Sequence, residues 1–135
     1  MEKKNRLYTL ARATVAFVWL WHGLVPKLIV KHPDEVTPLF GMGIDPETAW
    51  TIVTFSGIGE ILFALLILIL WRARWPLWLT IIAMSGLLLG VFATAPESIG
   101  GAFNPVTLNL LVIAMAAIAL ISDSEFKHSE KRNQE

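Results

Sequence analysis

The stretch WPLWLTIIAMSGLLLGVFATAP, from Trp75 to Pro96, decides how this chain folds. Its 22 residues include no Asp, Glu, Lys or Arg. A helix needs about 20 such residues, each rising about 1.5 Å, to cross about 30 Å of hydrocarbon. A helix on the surface of a soluble bundle would also need a charged stripe for water, and this stretch has none. It reads as a membrane span.

Working outward, the remaining charges fall at similar intervals. Residues 98–122 form 25 uncharged positions, and residues 48–71 form 24 with Glu60 as the single charge. A less pure segment, 7–30, holds Arg12, His22 and Lys27 among apolar residues. Counting it gives four spans, at about 7–30, 48–71, 75–95 and 105–122. Local signals mark their ends. Asp45-Pro46-Glu47 reads as an N-cap, a first-position proline and an acid in the first turn. Asn104-Pro105 repeats the cap and proline, and Pro76 sits in the first turn of the third span. Trp50, Trp71, Trp75 and Trp78 lie near span ends, where indoles favour the headgroup region.

The averages agree. Over 135 residues, 55% are hydrophobic and 16% charged, with a mean hydropathy of +0.60. Soluble domains usually carry about 45–50% apolar and about 25% charged residues. Eleven basic residues balance 11 acidic ones, so nothing in the charge speaks for nucleic acid. With no cysteine, disulfides, dithiol chemistry, iron–sulfur clusters and thiolate zinc sites are excluded. No metal-ligand spacing, phosphate loop or serine-nucleophile motif occurs. Haem held by two histidines would need His32 beside His22, and His32 falls in a loop.

The distribution of Lys and Arg sets the orientation. Lys3, Lys4, Arg6, Arg12, Arg72, Arg74, Lys127, Lys131 and Arg132 lie on one side, and only Lys27 and Lys31 on the other. The positive-inside rule then places both termini in the cytoplasm. The first span is expected to act as an uncleaved signal-anchor, since no small-x-small pattern follows it. Residues 123–135 form a charged, frayed cytoplasmic tail. The tight turn at Trp71–Trp75 predicts that the spans on either side are antiparallel neighbours. The long first outer loop carries Val36, Leu39, Phe40, Met42 and Ile44. It predicts a short interfacial helix near 34–40, ended by Gly41. The expected fold is therefore all-α: an integral membrane four-helix bundle, N-in and C-in, with that interfacial helix in the first outer loop.

The polar residues inside the apolar segments are the candidate site. Glu60 lies ten residues, or about 15 Å, from Trp50, near the bilayer midplane. An acid there is costly unless protonated or paired, and faces a bundle interior or cavity. Ser56, Gly57 and Ala64 share its face. In the first span Arg12, Trp19, His22, Gly23 and Pro26 follow one helical face. Pro26 has no N–H, which frees the His22 carbonyl. Lys27 can reach the interface or pair with an acid. Arg12 reads as a snorkelling anchor. Asn104 is most simply a cap, and Asn109 can bridge helices or meet a ligand. Trp19 and Trp21 could wall a pocket or belong to the aromatic belt. The ligand-binding set is thus Glu60, His22, Asn109, Lys27, Trp19 and Asn104, around a pocket open to the outside or to the outer leaflet. Gly86 and Gly90 form a GxxxG that permits close helix approach and offers one face for a homodimer.

The runs WLWHGLVPKL (19–28), Pro33-Asp34-Glu35, Gly57-Ile-Gly-Glu60 and Phe103-Asn-Pro-Val-Thr-Leu-Asn109 together resemble the DoxX-like family of small bacterial four-helix membrane proteins. The resemblance extends from Arg12 to about Ile121. It implies a bacterial, multi-pass cytoplasmic-membrane location and a broad redox association. The wider group includes a membrane subunit of quinone-linked oxidoreductases. It supplies no catalytic residue. Three functions are consistent with these residues. One is an accessory subunit binding a lipid-soluble molecule such as a quinone for a redox partner protein. The others are a small proton-linked carrier or lipid-binding module, and a purely structural membrane subunit.

Overall fold

The computed structural model describes residues 6–94, 96–101 and 104–132, and among these every regular element is helical. The first helix, α1 (Arg6–Leu24), runs into a π-helical turn at Val25–Ile29. Pro26 cannot donate to the carbonyl four residues back. The hydrogen-bond ladder lengthens here, with the Val30 N–H donating to the Val25 carbonyl at 2.8 Å. Lys31 then reverses the chain at φ 51°, a left-handed conformation uncommon for a residue with a side chain.

The expected loop helix takes the form of a 3-10 turn, Pro33–Glu35, followed by α2 (Thr37–Gly41). The left-handed residue that stops it is Gly43, at φ 78°, two residues beyond the expected Gly41. The Ile44 N–H donates to the Leu39 carbonyl at 3.1 Å and the Gly43 N–H to that of Phe40 at 2.9 Å. That is a Schellman closure, which satisfies the last carbonyls. Val36 is buried against Ala49 and Val53, with Leu39, Ile44 and Trp50 around them, so the apolar loop residues pack onto the start of the next helix.

That helix is α3 (Pro46–Ile69), capped by Asp45, whose side chain accepts from the Thr48 N–H at 3.0 Å. Then come α4 (Trp75–Thr94), a 3-10 turn at Pro96–Gly100, and α5 (Pro105–Arg132). Asn104 caps α5 by accepting from the Thr107 N–H at 2.9 Å. The sequence reading ended this helix near residue 122. The backbone instead stays helical to Arg132, because nothing in 123–132 is a glycine or proline that would break it. Phe103, in the last motif above, lies outside the described residues.

Three helices, Pro46–Ile69, Trp75–Thr94 and the Pro105–Ser124 part of α5, are long and apolar enough to cross a membrane. The α1 helix, diluted by Arg12 and His22, is not among these three. Phe55, Leu62, Ile69, Ile82, Leu89 and Leu111 all point outward and exposed. An apolar exterior on this scale suits lipid, not water. Inside, small residues recur at the contacts: Ala11, Ala16, Ala64, Ala116 and Ala119 are buried beside Val15, Ile67, Leu77 and Val112. Lipid tails are as apolar as leucine, so close van der Waals packing at small residues holds such helices together.

The helix order corrects one expectation. The α1 helix lies between α3 and α5, and α4 packs on α5, whereas α3 and α4 touch little despite their short connection. The reason is α1 itself. Its Trp19 ring is 5.0 Å from Phe63 of α3, and its Nε1 donates to Thr80 Oγ1 of α4 at 3.1 Å. The side chain fills the space where α3 and α4 would otherwise meet.

A second correction concerns Arg12, which does not snorkel. It is fully buried, at 0% exposure. Its guanidinium donates to the carbonyls of Ile67 (2.9 Å), Leu70 (2.6 Å) and Ala73 (2.8 Å) and to the Tyr8 hydroxyl (2.7 Å). The last carbonyls of a helix have no intrahelical partner and carry the negative end of its dipole. Arg12 closes the end of α3, between the rings of Tyr8 and Trp71 at 5.6 and 5.7 Å. Trp71, expected in the interfacial belt, is accordingly packed edge-on against Tyr8.

Candidate functional site

The site is built on a crossing of two glycines. A Cβ placed on Gly23 would lie 2.5 Å from the Gly57 carbonyl oxygen, and one on Gly57 would lie 2.7 Å from the Gly23 carbonyl oxygen. Backbone meets backbone there, with no room for a methyl group. Since Arg12 faces the end of α3 and Gly23 its middle, the two helices run antiparallel. One turn past the crossing on each chain stand Lys27, on the π turn, and Glu60, on α3.

Their side chains form an ion pair, Lys27 Nζ to Glu60 Oε1, and are only 12% and 14% exposed. Lys27 also lies 3.7 Å from Oε2 of Glu35, on the 3-10 turn of the first loop. The Ser56 hydroxyl, one turn before Glu60, donates to the same Oε1 at 3.3 Å. Glu60 Oε2 is buried and has no hydrogen-bond partner among the described residues. A charged pair away from water is tolerable only when its geometry is good and its remaining valences are filled. This cluster leaves one valence open.

Two spaces meet at Glu60. The smaller, about 60 Å³, is lined by Trp19, His22, Lys27, Glu60, Leu87 and Asn109, among others. That volume exceeds the roughly 10–15 Å³ of such space that one water needs. The larger, about 530 Å³, is the groove left between α3 and α4, with Trp19 on its floor. Its walls are Ser56, Gly59, Glu60 and Phe63 on one side and Leu79, Ala83, Gly86 and Leu87 on the other. Trp19, Glu60 and Leu87 line both. The groove is shallow and lies wide open along the helix exterior, unlike the enclosed small cavity.

Five of the six residues expected in the site, Glu60, His22, Asn109, Lys27 and Trp19, line the small cavity. Asn104 does not. Its side chain is spent on the α5 cap, and its amide donates to the Gly101 carbonyl at 3.1 Å. Trp21 is 52% exposed and packs on Phe17, so it belongs to the exterior. Gly86 and Gly90 have no atom within 4 Å of an added Cβ, so the close approach in this chain is made by Gly23 and Gly57 instead. Glu35, Thr80 and Phe63 were missed as site residues. Glu35 had a signal, an acid in an apolar loop beside a membrane-facing lysine. Thr80 and Phe63 look like ordinary span residues, and only the tertiary arrangement reveals their contact with Trp19.

Fold and site together define an all-helical, multi-pass membrane protein with a carboxyl group at the foot of a groove between two of its helices. The model of the DoxX-like family matches residues 16–117, and the chain belongs to that family. No curated protein and no solved structure matches it.

Proposed function

We propose that this protein binds a lipid-soluble small molecule, of the quinone class, in the groove between α3 and α4, as an accessory subunit for a redox partner. In this reading α1 is a fourth span, both termini face the cytoplasm, and the site lies in the outer half of a bacterial cytoplasmic membrane. The observation that carries it is the groove itself, about 530 Å³ of apolar space with Glu60 and Ser56 as its polar end. A ring fits between Phe63, Leu79 and Ala83 above Trp19, and an apolar tail can leave toward lipid between the helices. The small cavity is too narrow for such a ring, so His22 and Asn109 act through water on Glu60 instead of gripping the ligand directly. This narrows the six-residue set: Glu60 and Trp19 touch the ligand, and Lys27 positions Glu60.

Mass spectrometry of lipid-soluble molecules co-purifying with the full chain tests the reading. A quinone should accompany the wild type, and its occupancy should fall in Phe63→Trp, which fills the groove. Absence of any such molecule, with tryptophan fluorescence unmoved by added short-chain quinone, would sink it. A second reading, a small proton-linked carrier, draws on Lys27 being shared between Glu60 and Glu35. It requires solute uptake into reconstituted vesicles that changes in Glu60→Gln.

A further inference from the structure

We infer that Lys27 is a shared fastening, and that the charge of Glu60 sets how firmly it holds the first loop. The loop is held harder when Glu60 is neutral and more loosely when Glu60 is charged. This coupling goes beyond ligand binding and does not depend on what occupies the groove. The loop is attached at three places. Beside the π turn, the His32 N–H donates to the Pro26 carbonyl at 2.8 Å. On α3, Val36 is buried against Ala49 and Val53. On α4, a Cβ added to Gly41 would stand 3.6 Å from the Thr94 carbonyl oxygen. The loop therefore bridges the start of α3 and the end of α4, the two helices that flank the groove and otherwise touch little.

The charged link in the loop is Glu35, whose Oε2 lies 3.7 Å from Lys27 Nζ. Glu60 Oε1 contacts the same nitrogen more closely, so it holds the larger share of a single positive charge. Both carboxylates are partly buried, where solvent screens their attraction for the lysine less than at the surface. The other charged groups nearby do not offer a substitute. Lys31 and His32 are exposed, and His32 sits 3.5 Å from Asp34. Asp45, Glu47 and Glu97 are exposed as well. His22 lines the small cavity with Lys27 and Glu60, and the α4 and α5 residues there, Met84, Leu87, Leu108 and Asn109, carry no charge. Cancelling the Glu60 charge thus leaves Glu35 as the carboxylate that attracts Lys27, and the ammonium shifts toward the loop. The state of Glu60, a groove residue, is in this way passed to the segment that ties the groove's two helices together.

Hydrogen exchange of the full chain in lipid nanodiscs, read by mass spectrometry over residues 39–44, tests this coupling. The amides of Leu39, Phe40, Met42, Gly43 and Ile44 are all hydrogen-bonded within the loop and report its opening. The control is the peptide holding Thr107, whose amide is bonded to the Asn104 side chain and involves neither Lys27 nor the first loop. Glu35→Gln should speed exchange over 39–44 by about two- to fivefold, the scale of an ion pair near the surface. Glu60→Gln should slow it by a similar factor, the opposite sign for the loss of the same charge. Adding Lys27→Met to Glu60→Gln should turn that slowing into speeding, and the control should not move in any variant. Glu60→Met removes the same charge and makes the same prediction where Glu60→Gln does not fold. Exchange that speeds up or stays unchanged when the Glu60 charge is removed overturns the inference. So does slowing that persists without Lys27, or a control that shifts by the same factor as the loop. Each of these results leaves the ligand reading intact, because that reading is decided by what co-purifies with the chain.

Discussion

Replacing Gly23 by alanine adds one methyl group where the structure has least room. The new Cβ would stand 2.5 Å from the Gly57 carbonyl oxygen, 2.9 Å from Glu60 Cβ and 3.1 Å from Ile61 Cγ1. An unstrained carbon–oxygen approach is about 3.3 Å, so α1 and α3 must part by roughly 0.8 Å at the crossing. The Gly57 oxygen is backbone and cannot rotate aside. A radial gap of about 0.5–1 Å forfeits a quarter to a half of the dispersion energy between facing atoms. Overpacking of this kind costs about 1–3 kcal/mol. The proper controls are Gly59→Ala and Gly90→Ala, whose Cβ would meet nothing within 4 Å. There alanine gains about 0.5–1 kcal/mol through its better helix propensity. That gain is common to all three positions, so Gly23→Ala should fall about 1–3 kcal/mol below those controls. Helical circular dichroism followed through a reversible denaturant titration in mixed micelles gives the comparison. Gly57→Ala should behave like Gly23→Ala, and the double variant should lose less than the sum, because one contact is relieved once. If Gly23→Ala proves as stable as Gly59→Ala, the glycine crossing is not what holds α1 against α3.

Other consequences are more local. Arg12→Met keeps the apolar stem but leaves the carbonyls of Ile67, Leu70 and Ala73 without the guanidinium; a loss of about 3 kcal/mol or more is expected in the same titration, and Arg12→Lys should recover only part of it because one ammonium lacks the fork. Gly43→Ala meets no atom within 4 Å yet should cost about 1 kcal/mol, because its φ of 78° is left-handed; an unchanged midpoint would refute the Schellman closure of α2. The Asp45 carboxyl is held below its ordinary value by its hydrogen bonds to Thr48. Its contribution is present above the ordinary carboxylate range and is lost as pH falls through the lowered value, so an acid titration of stability should be shallower in Asp45→Asn than in the wild type.

The parts of this molecule legible in its sequence are those decided by one segment at a time. Uncharged runs locate α3, α4 and the apolar part of α5, since the cost of a charge in hydrocarbon is a property of each segment alone. Asp45 and Asn104 could be read as caps because a cap acts within three residues. The grouping of Glu60, His22, Asn109, Lys27 and Trp19 followed from helical periodicity and depth. What escaped depends on which helices touch. The face that carries Trp19 and Gly23 also carries Arg12, so the same periodicity that put Trp19 inside puts Arg12 inside; the habit of letting a terminal arginine snorkel hid that consequence. Gly86 and Gly90 form a motif within one helix and so can be read from the sequence, whereas Gly23 and Gly57 form theirs only across two.

Arg12 and the Gly23–Gly57 crossing together explain the site. The α1 helix is fixed to α3 at both ends by opposite means. At one end Arg12 grips the carbonyls that close α3, and at the other Gly23 and Gly57 bring the backbones into contact. The close contact lets Lys27 reach Glu60 in the middle of α3 while leaving it within 3.7 Å of Glu35 in the loop. A larger residue at the crossing would hold the lysine away and leave two carboxylates facing each other. On the other side of α3 the Trp19 ring stands between Phe63 of α3 and Thr80 of α4, so those helices touch little and a groove opens between them. Glu60 lines that groove and also pairs with Lys27 beside the glycine crossing, so it stands where the tight side and the open side meet.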